Sequence, residues 1–177
     1  MAITHTFTAT LPAPSATITD GFVFVLTTAW FTNANQGPAG SPIDGGANSI
    51  ANGGGDMMAF SDTACTNRLP IHIITFVAGG SPDALVYIRT PTYESGDTIT
   101  IGRDDTQTTQ PLPNATYGQY EVYQDYELVI LQGTSDDAAG NHTPSLVGSP
   151  SLVSMMYGGQ GYDLDANTKW LQIPHTA

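Results

Sequence analysis

Asp104-Asp105, Asp136-Asp137 and Asp163-x-Asp165 are close carboxylate pairs in the sequence. Such pairs can hold a calcium ion or act as a general acid–base couple. None matches the Asp-x-Asp-x-Asp-Gly pattern of a calcium loop, and a glycosidase couple is defined by a distance in space, not along the chain. Asp closes Asx-turns without any ligand, so the expectation is solvated turns. His5, His72, His142 and His175 are scattered, with no His-x-His or His-x-x-x-His spacing, and Cys65 has no near neighbour to join them in a zinc site. Cys65 itself lies in the turn-like Asp62-Thr-Ala-Cys-Thr-Asn67, and no His or Asn can be assigned as its base. Gly53-Gly-Gly-Asp56 lacks the Lys and the following helix of a phosphate loop, so its glycines are read as a mobile or partner-ordered segment. The expectation is therefore no catalytic set, no metal and no cofactor.

Aromatic residues are more suggestive. Tyr117, Tyr120, Tyr123 and Tyr126 recur every three residues, Trp30 and Phe31 are adjacent, and Trp170 stands near the C-terminus. Trp30, Phe31, Tyr117, Tyr120, Tyr123 and Trp170 are the candidates for an interface or for stacking on a glycan. The competing role, which ranks first, is cover for the edge of a hydrophobic core.

The elements that must position these residues read as strands. Lys, Glu and Arg are scarce, while Gly and Pro interrupt the chain every few residues, which disfavours helices. Residues 4–10 alternate Thr with His, Phe and Ala, and 16–18 resume that pattern. Residues 21–28 form a continuous apolar run, as expected for a strand buried between two layers. Further short strands are predicted at 56–60, 71–77, 84–89, 98–102, 120–123, 127–132 and 169–173. Their spacing, broken by turn clusters, predicts an all-β antiparallel sandwich with little or no helix. Residues 33–55 form a long Gly, Asn, Ala and Pro loop, and the Pro-bracketed 104–113 is the candidate internal boundary. Two segments are expected, 1–112 as the sandwich and 113–177 as strands that complete it or pair with another copy.

Composition bounds the function classes. The 177 residues carry 4 Lys plus Arg against 16 Asp plus Glu, a formal net charge of −12. Binding a phosphate backbone or an anionic membrane needs clustered cations, so neither partner is expected. The single cysteine forms no internal disulfide. The N-terminal residues lack a basic region before the first apolar run, and no apolar stretch approaches the roughly 18 residues of a membrane span. Synthesis in a cytoplasm without a cleaved signal is the expectation.

Longer motifs carry a resemblance. Phe60-Ser-Asp62, Arg68-Leu-Pro70, residues 85–91 and Thr98-Ile-Thr-Ile-Gly102 stand in for "D-[IL]-R-F-T-D", "T-x-L-P-x-E-I-E", "V-W-V-K-V-P" and "T-x-I-Y-L-Y-Y-G-N", and Phe22-Val-Phe-Val-Leu26 for "F-P-V-L-V". In these, residues 4–105 resemble an uncharacterised β-domain of phage structural proteins and bacterial surface proteins. That domain commonly precedes a laminin-G or concanavalin-like jelly roll. Tyr126-Glu-Leu-Val-Ile-Leu131, Asp137-Ala-Ala-Gly-Asn-His142, Gly159-Gln-Gly-Tyr-Asp-Leu-Asp165 and Trp170-Leu-Gln-Ile-Pro174 resemble the opening of one. His72 stands where the family has Glu, and only about half of a jelly roll is present.

The resemblance implies a jelly-roll or concanavalin-like sandwich and no shared enzymatic activity. It implies a non-enzymatic virion protein of a tailed phage, made in the host cytoplasm. A capsid decoration (cement) protein comes first, and another head or tail appendage component second. Its partners would be the major capsid protein or other virion proteins, with copies gathered as a homo-oligomer such as a trimer. The alternative is a carbohydrate-binding, receptor-recognising module of a phage appendage or a bacterial surface.

Overall fold

The computed structural model describes residues 3–33, 40–126, 128–131, 134, 136–154, 160–162 and 168–173. The elements run β1 (Ile3–Thr10), β2 (Phe22–Thr27), α1 (Thr28–Asn33), β3 (Met57–Phe60), β4 (Arg68–Leu69), β5 (Ile71–Val77), β6 (Asp83–Thr90), β7 (Thr98–Asp104), α2 (Gln119–Val122), β8 (Ser145–Val147), β9 (Leu152–Ser154), β10 (Gln160–Tyr162) and β11 (Trp170–Gln172). They divide into two compact units, Met1–Val122 and Tyr123–Ala177. Residues 113–122, expected with the second segment, fold with the first.

The first unit is an antiparallel β-sandwich. One sheet has the order β1-β7-β3-β4 and the other β2-β6-β5. A jelly roll packs eight strands as two sheets; here the two layers hold four and three. Alternation decides which side chains face inward. Phe7, Ala59, Ile99 and Ile101 from one sheet meet Leu26, Phe76, Val86 and Ile88 from the other in a single core. β6 shows the period clearly, with Ala84, Val86, Ile88 and Thr90 buried and the residues between them partly exposed. On the first sheet Met58, Phe60 and Thr100 face away from that core, yet they too are buried.

The apolar run in β2 departs from expectation. Leu26 is 2% exposed, but Val25 is 50% exposed, so the strand is covered on one face only. The run then continues as a one-turn helix, α1, which drops Phe31 into the core edge-to-face with Phe76 at 5.1 Å. A second difference concerns 120–123, predicted as a strand. Residues 119–122 form the short helix α2 instead, and the three-residue tyrosine spacing suits a helical turn better than strand alternation. Residues 16–18 contribute only the bridge Ile18–Tyr93, and 127–132 only the bridge Ile130–Asp137, among the described residues.

Residues 40–55 are not a free loop. Ile43 and Ile50 are 2% and 1% exposed and belong to the sandwich core. Asp44 accepts hydrogen bonds from the Ser49 hydroxyl at 2.6 Å and the Gly46 N–H at 2.7 Å. Gln107 and Gln110 donate to the carbonyls of Gly55 and Gly54, at 2.8 and 2.6 Å. The connector 104–113 is thereby tied to the loop before β3, and it is not an inter-unit linker.

In the second unit the strands pair with one another, β8 with β11 and β9 with β10. The unit's best-defined turn surrounds Asp137, whose carboxylate accepts the N–H groups of Val129, Ala139, Asn141 and His142 at 2.9–3.0 Å. Burial alone would raise the Asp137 pKa, but these four donors outweigh it and hold the carboxyl below its ordinary value.

Candidate functional site

The residues first considered for chemistry are mostly structural. Asp104 is buried and accepts the Thr106 hydroxyl at 2.6 Å. Asp105 lies 2.9 Å from Arg103 Nε. Asp136 neighbours the Asp137 turn, and Asp163 and Asp165 lie outside the described residues. Asp62 takes the N–H groups of Thr66 and Asn67, closing the turn that carries Cys65 in a left-handed conformation at φ 56°. Burial raises the Cys65 thiol, and the charge of Asp62 raises it further, so the nucleophilic thiolate is disfavoured. His175 lies outside the described residues, and among those described no three His, Cys, Asp or Glu side chains gather as metal ligands.

The aromatic candidates do not form one platform. Phe31 is fully buried, and Trp30, half-buried, packs edge-on against it at 5.0 Å. Tyr123, in the second unit, is 3% exposed. A ring without accessible area cannot stack on a sugar, which removes Phe31 and Tyr123 in this conformation. Tyr120 is exposed and Tyr117 is half-buried beneath a guanidinium, with Arg68 Cζ 4.9 Å from its centroid. The side chain of Trp170 lies outside the described residues.

Two features remain on the first unit. The first is the outward face of the β2-β6-β5 sheet. Register places Val25, Tyr87 and His72 in one row, and Thr27, Leu85 and Thr75 in the next. Val23 stands opposite Arg89, and Val77 opposite Asp83. A bulge between Ile73 and Thr75 presents Ile74, which like Val77 is 42% exposed. The middle rows are uncharged, with charge only at their two ends. Sequence reading missed this face because it placed β2 between two covering layers. The signal was present: a strand with no polar alternation has an apolar outer face as well as an apolar inner one.

The second feature is a cleft of about 450 Å³ along β5, the edge strand of that sheet. Asn52, His72, Thr108, Thr109, Gln110 and Gln119 supply most of its polar lining. Burial pushes the His72 imidazole down to about 4, so the ring is neutral near pH 7. A lining of amides, hydroxyls and a neutral imidazole suits a neutral, hydroxyl-rich ligand better than an ion.

No family model, no curated protein and no solved structure matches the chain. What it does must be read from its own surfaces. Apolar surface associates by excluding water over an area, whereas an amide- and hydroxyl-lined cleft offers hydrogen bonds.

Proposed function

We propose that the protein is a non-enzymatic structural component of a tailed-phage virion, a capsid decoration protein foremost, with another head or tail appendage component next. The observation that carries this reading is the outward face of the β2-β6-β5 sheet, where Val25 is 50% and Ile74 42% exposed on a chain of net charge −12. A face that exposes Val25, Ile74 and Val77, with charge only at its two ends, suits docking on a capsomer or a sister copy. The phage-like cadence of residues 4–105 supplies the setting. Copies repel through their net charge except where such faces meet, so salt strengthens assembly.

Side-chain-resolution imaging of the native particle tests this reading, together with copy counting. Hundreds of copies per particle on the capsid, and weaker capsids on deletion, are expected. Absence from purified particles, or release by high salt, overturns it.

A receptor-binding carbohydrate module is the second reading, favoured by the amide-lined cleft beside β5. Glycan binding by the isolated protein, abolished by Gln110→Ala or Gln119→Ala, would place it first.

A further inference from the structure

A sheet edge presents a row of N–H and C=O groups that can template another strand. The sandwich of the first unit ends on β1 and β4 in one sheet and on β2 and β5 in the other. Three of these edges are blunted. β4 is two residues long. β1 breaks register between Ile3 and His5 and turns the hydroxyl-bearing Thr4, Thr6 and Thr10 to solvent. β5 has a bulge between Ile73 and Thr75, and two of its outer groups are taken. Its Ile71 N–H donates to the Tyr117 carbonyl at 3.2 Å, and its Phe76 carbonyl accepts the Gly53 N–H at 2.8 Å. β2 differs from all three: Phe22–Thr27 runs six residues against β6 without a register break, and holds no charge and no proline.

The hydrogen-bond phase shows which groups of β2 face outward. Arg89 N–H donates to the Pro70 carbonyl at 3.3 Å, so the backbone groups of Arg89 face β5. Alternation turns those of Ile88 and Thr90 toward β2, where they meet Phe24 and Phe22. Val23, Val25 and Thr27 therefore aim their N–H and C=O away from β6. Among the described residues, nothing outside the sheet hydrogen-bonds to these three. The side chains agree with an open edge. Val25 is 50% exposed, and Phe22 and Phe24, although packed against the core, are only half-buried.

We infer that β2 pairs antiparallel with β2 of a second copy, joining two β2-β6-β5 sheets into one. An edge that meets itself in this way is related by a two-fold axis normal to the sheet, so the contact closes after two copies. Opposed residues must share a face, which puts the axis through a residue and not between two. Centred on Val25, the register sets Val25 against Val25 and Val23 against Thr27, and the outward N–H and C=O of all three find partners. Phe24 then lies opposite Leu26, covering the rim of the core. A step either way loses a pair. Centred on Phe24, Thr27 meets Gly21, whose φ of 87° is not a strand conformation; centred on Leu26, Val23 meets Ala29 in α1. Residues 21–33 hold no charged side chain, so the paired segments bring no like charges together on a chain of net charge −12. The pairing rests on this edge and not on the virion reading.

Sedimentation velocity of the purified full chain over a range of concentrations tests the pairing. A concentration-dependent dimer is expected, with slower amide exchange at Val23, Val25 and Thr27 as it forms. Val25→Pro removes an outward N–H and none that bonds β6, a placement an edge strand tolerates, and should weaken the dimer at least tenfold. Val25→Lys keeps the backbone N–H but sets two like charges opposite each other, and should do the same. With Cys65→Ser as background, Val25→Cys should oxidise to a covalent dimer, because Cα atoms about 5.5 Å apart suit a disulfide. Val77→Cys, comparably exposed on β5, should not. A chain that stays monomeric or forms trimers overturns the assignment. So does undiminished dimerisation in both Val25→Pro and Val25→Lys, unchanged exchange at all three residues, or preferential cross-linking at Val77→Cys.

Discussion

Arg103 Nε lies 3.3 Å from Asp56 Oδ2, joining the central strand β7 to the end of the loop that precedes β3. The same guanidinium donates to the Ala47 carbonyl at 2.7 Å, and Asp56 in turn accepts the Ala51 N–H at 3.0 Å. One side chain thus fastens both halves of residues 47–56. Asp56 is 6% exposed, so removing its cation leaves a poorly solvated carboxylate. Arg103→Gln should cost about 1–3 kcal/mol, with hydrogen exchange accelerating first at Ala51 and Gly53. Uniform loss of protection across the unit would show that the clamp is not local.

Gly55 sits against the connector so closely that a Cβ there would collide with the Thr108 carbonyl. Backbone cannot swing aside as a side chain can. Gly55→Ala should therefore destabilise the first unit by about 1–3 kcal/mol, while Gly53→Ala, with open space around it but φ of +82°, tests backbone strain alone. Denaturant midpoints of the two variants separate crowding from strain.

His72 makes stability depend on mild acid. Its folded-state pKa is about 4 against an ordinary 6.5. Between those values the unfolded chain binds a proton that the folded chain refuses, so stability falls as pH drops from about 6.5 to about 4. The loss should be about 1–2 kcal/mol once solvent screening of the half-exposed ring is allowed for. His72→Gln should flatten that portion of the pH profile measured by urea unfolding.

Asp137 behaves in the opposite range. Its lowered pKa means that its contribution is complete above about 4, the usual aspartate value, and disappears on further acidification. Asp137→Ala strips the acceptor from four N–H groups and should cost about 3 kcal/mol or more in the second unit. Amide protection at Val129, Ala139, Asn141 and His142 reports it directly, and unchanged protection would refute the staple.

On the proposed virion role, Val25→Asp separates folding from assembly. The side chain is half exposed, so the melting temperature should move little, while incorporation into particles should fall at least tenfold. Normal incorporation would move the docking surface elsewhere.

Much of the sandwich was legible in residue order. Alternation in 3–10 and 83–90, and apolar density in 22–27 and 71–77, mark strands because burial on a pleated face imposes period two. α2 was illegible as helix because a four-residue turn is set by its tertiary neighbours, not by its own propensity. The glycine-rich 40–55 concealed Ile43 and Ile50, two isolated core residues in a segment without periodicity. The candidate surfaces were less legible still. Whether Val25 is covered depends on what packs on the second sheet from outside, which residue order does not state.

β1 pairs with β7, and Thr8 bonds Thr100 at a sequence separation of 92. On a ribosome that makes about 5–20 residues per second, β1 waits roughly 5–20 s for its neighbour. β2, β5 and β6 emerge earlier and can form their sheet in the interval. The β2-β6-β5 sheet can therefore be complete while β1 and β3 still lack β7, the strand that joins them. Cells making this protein quickly should depend on chaperones most during that interval, before residue 104 has left the exit tunnel.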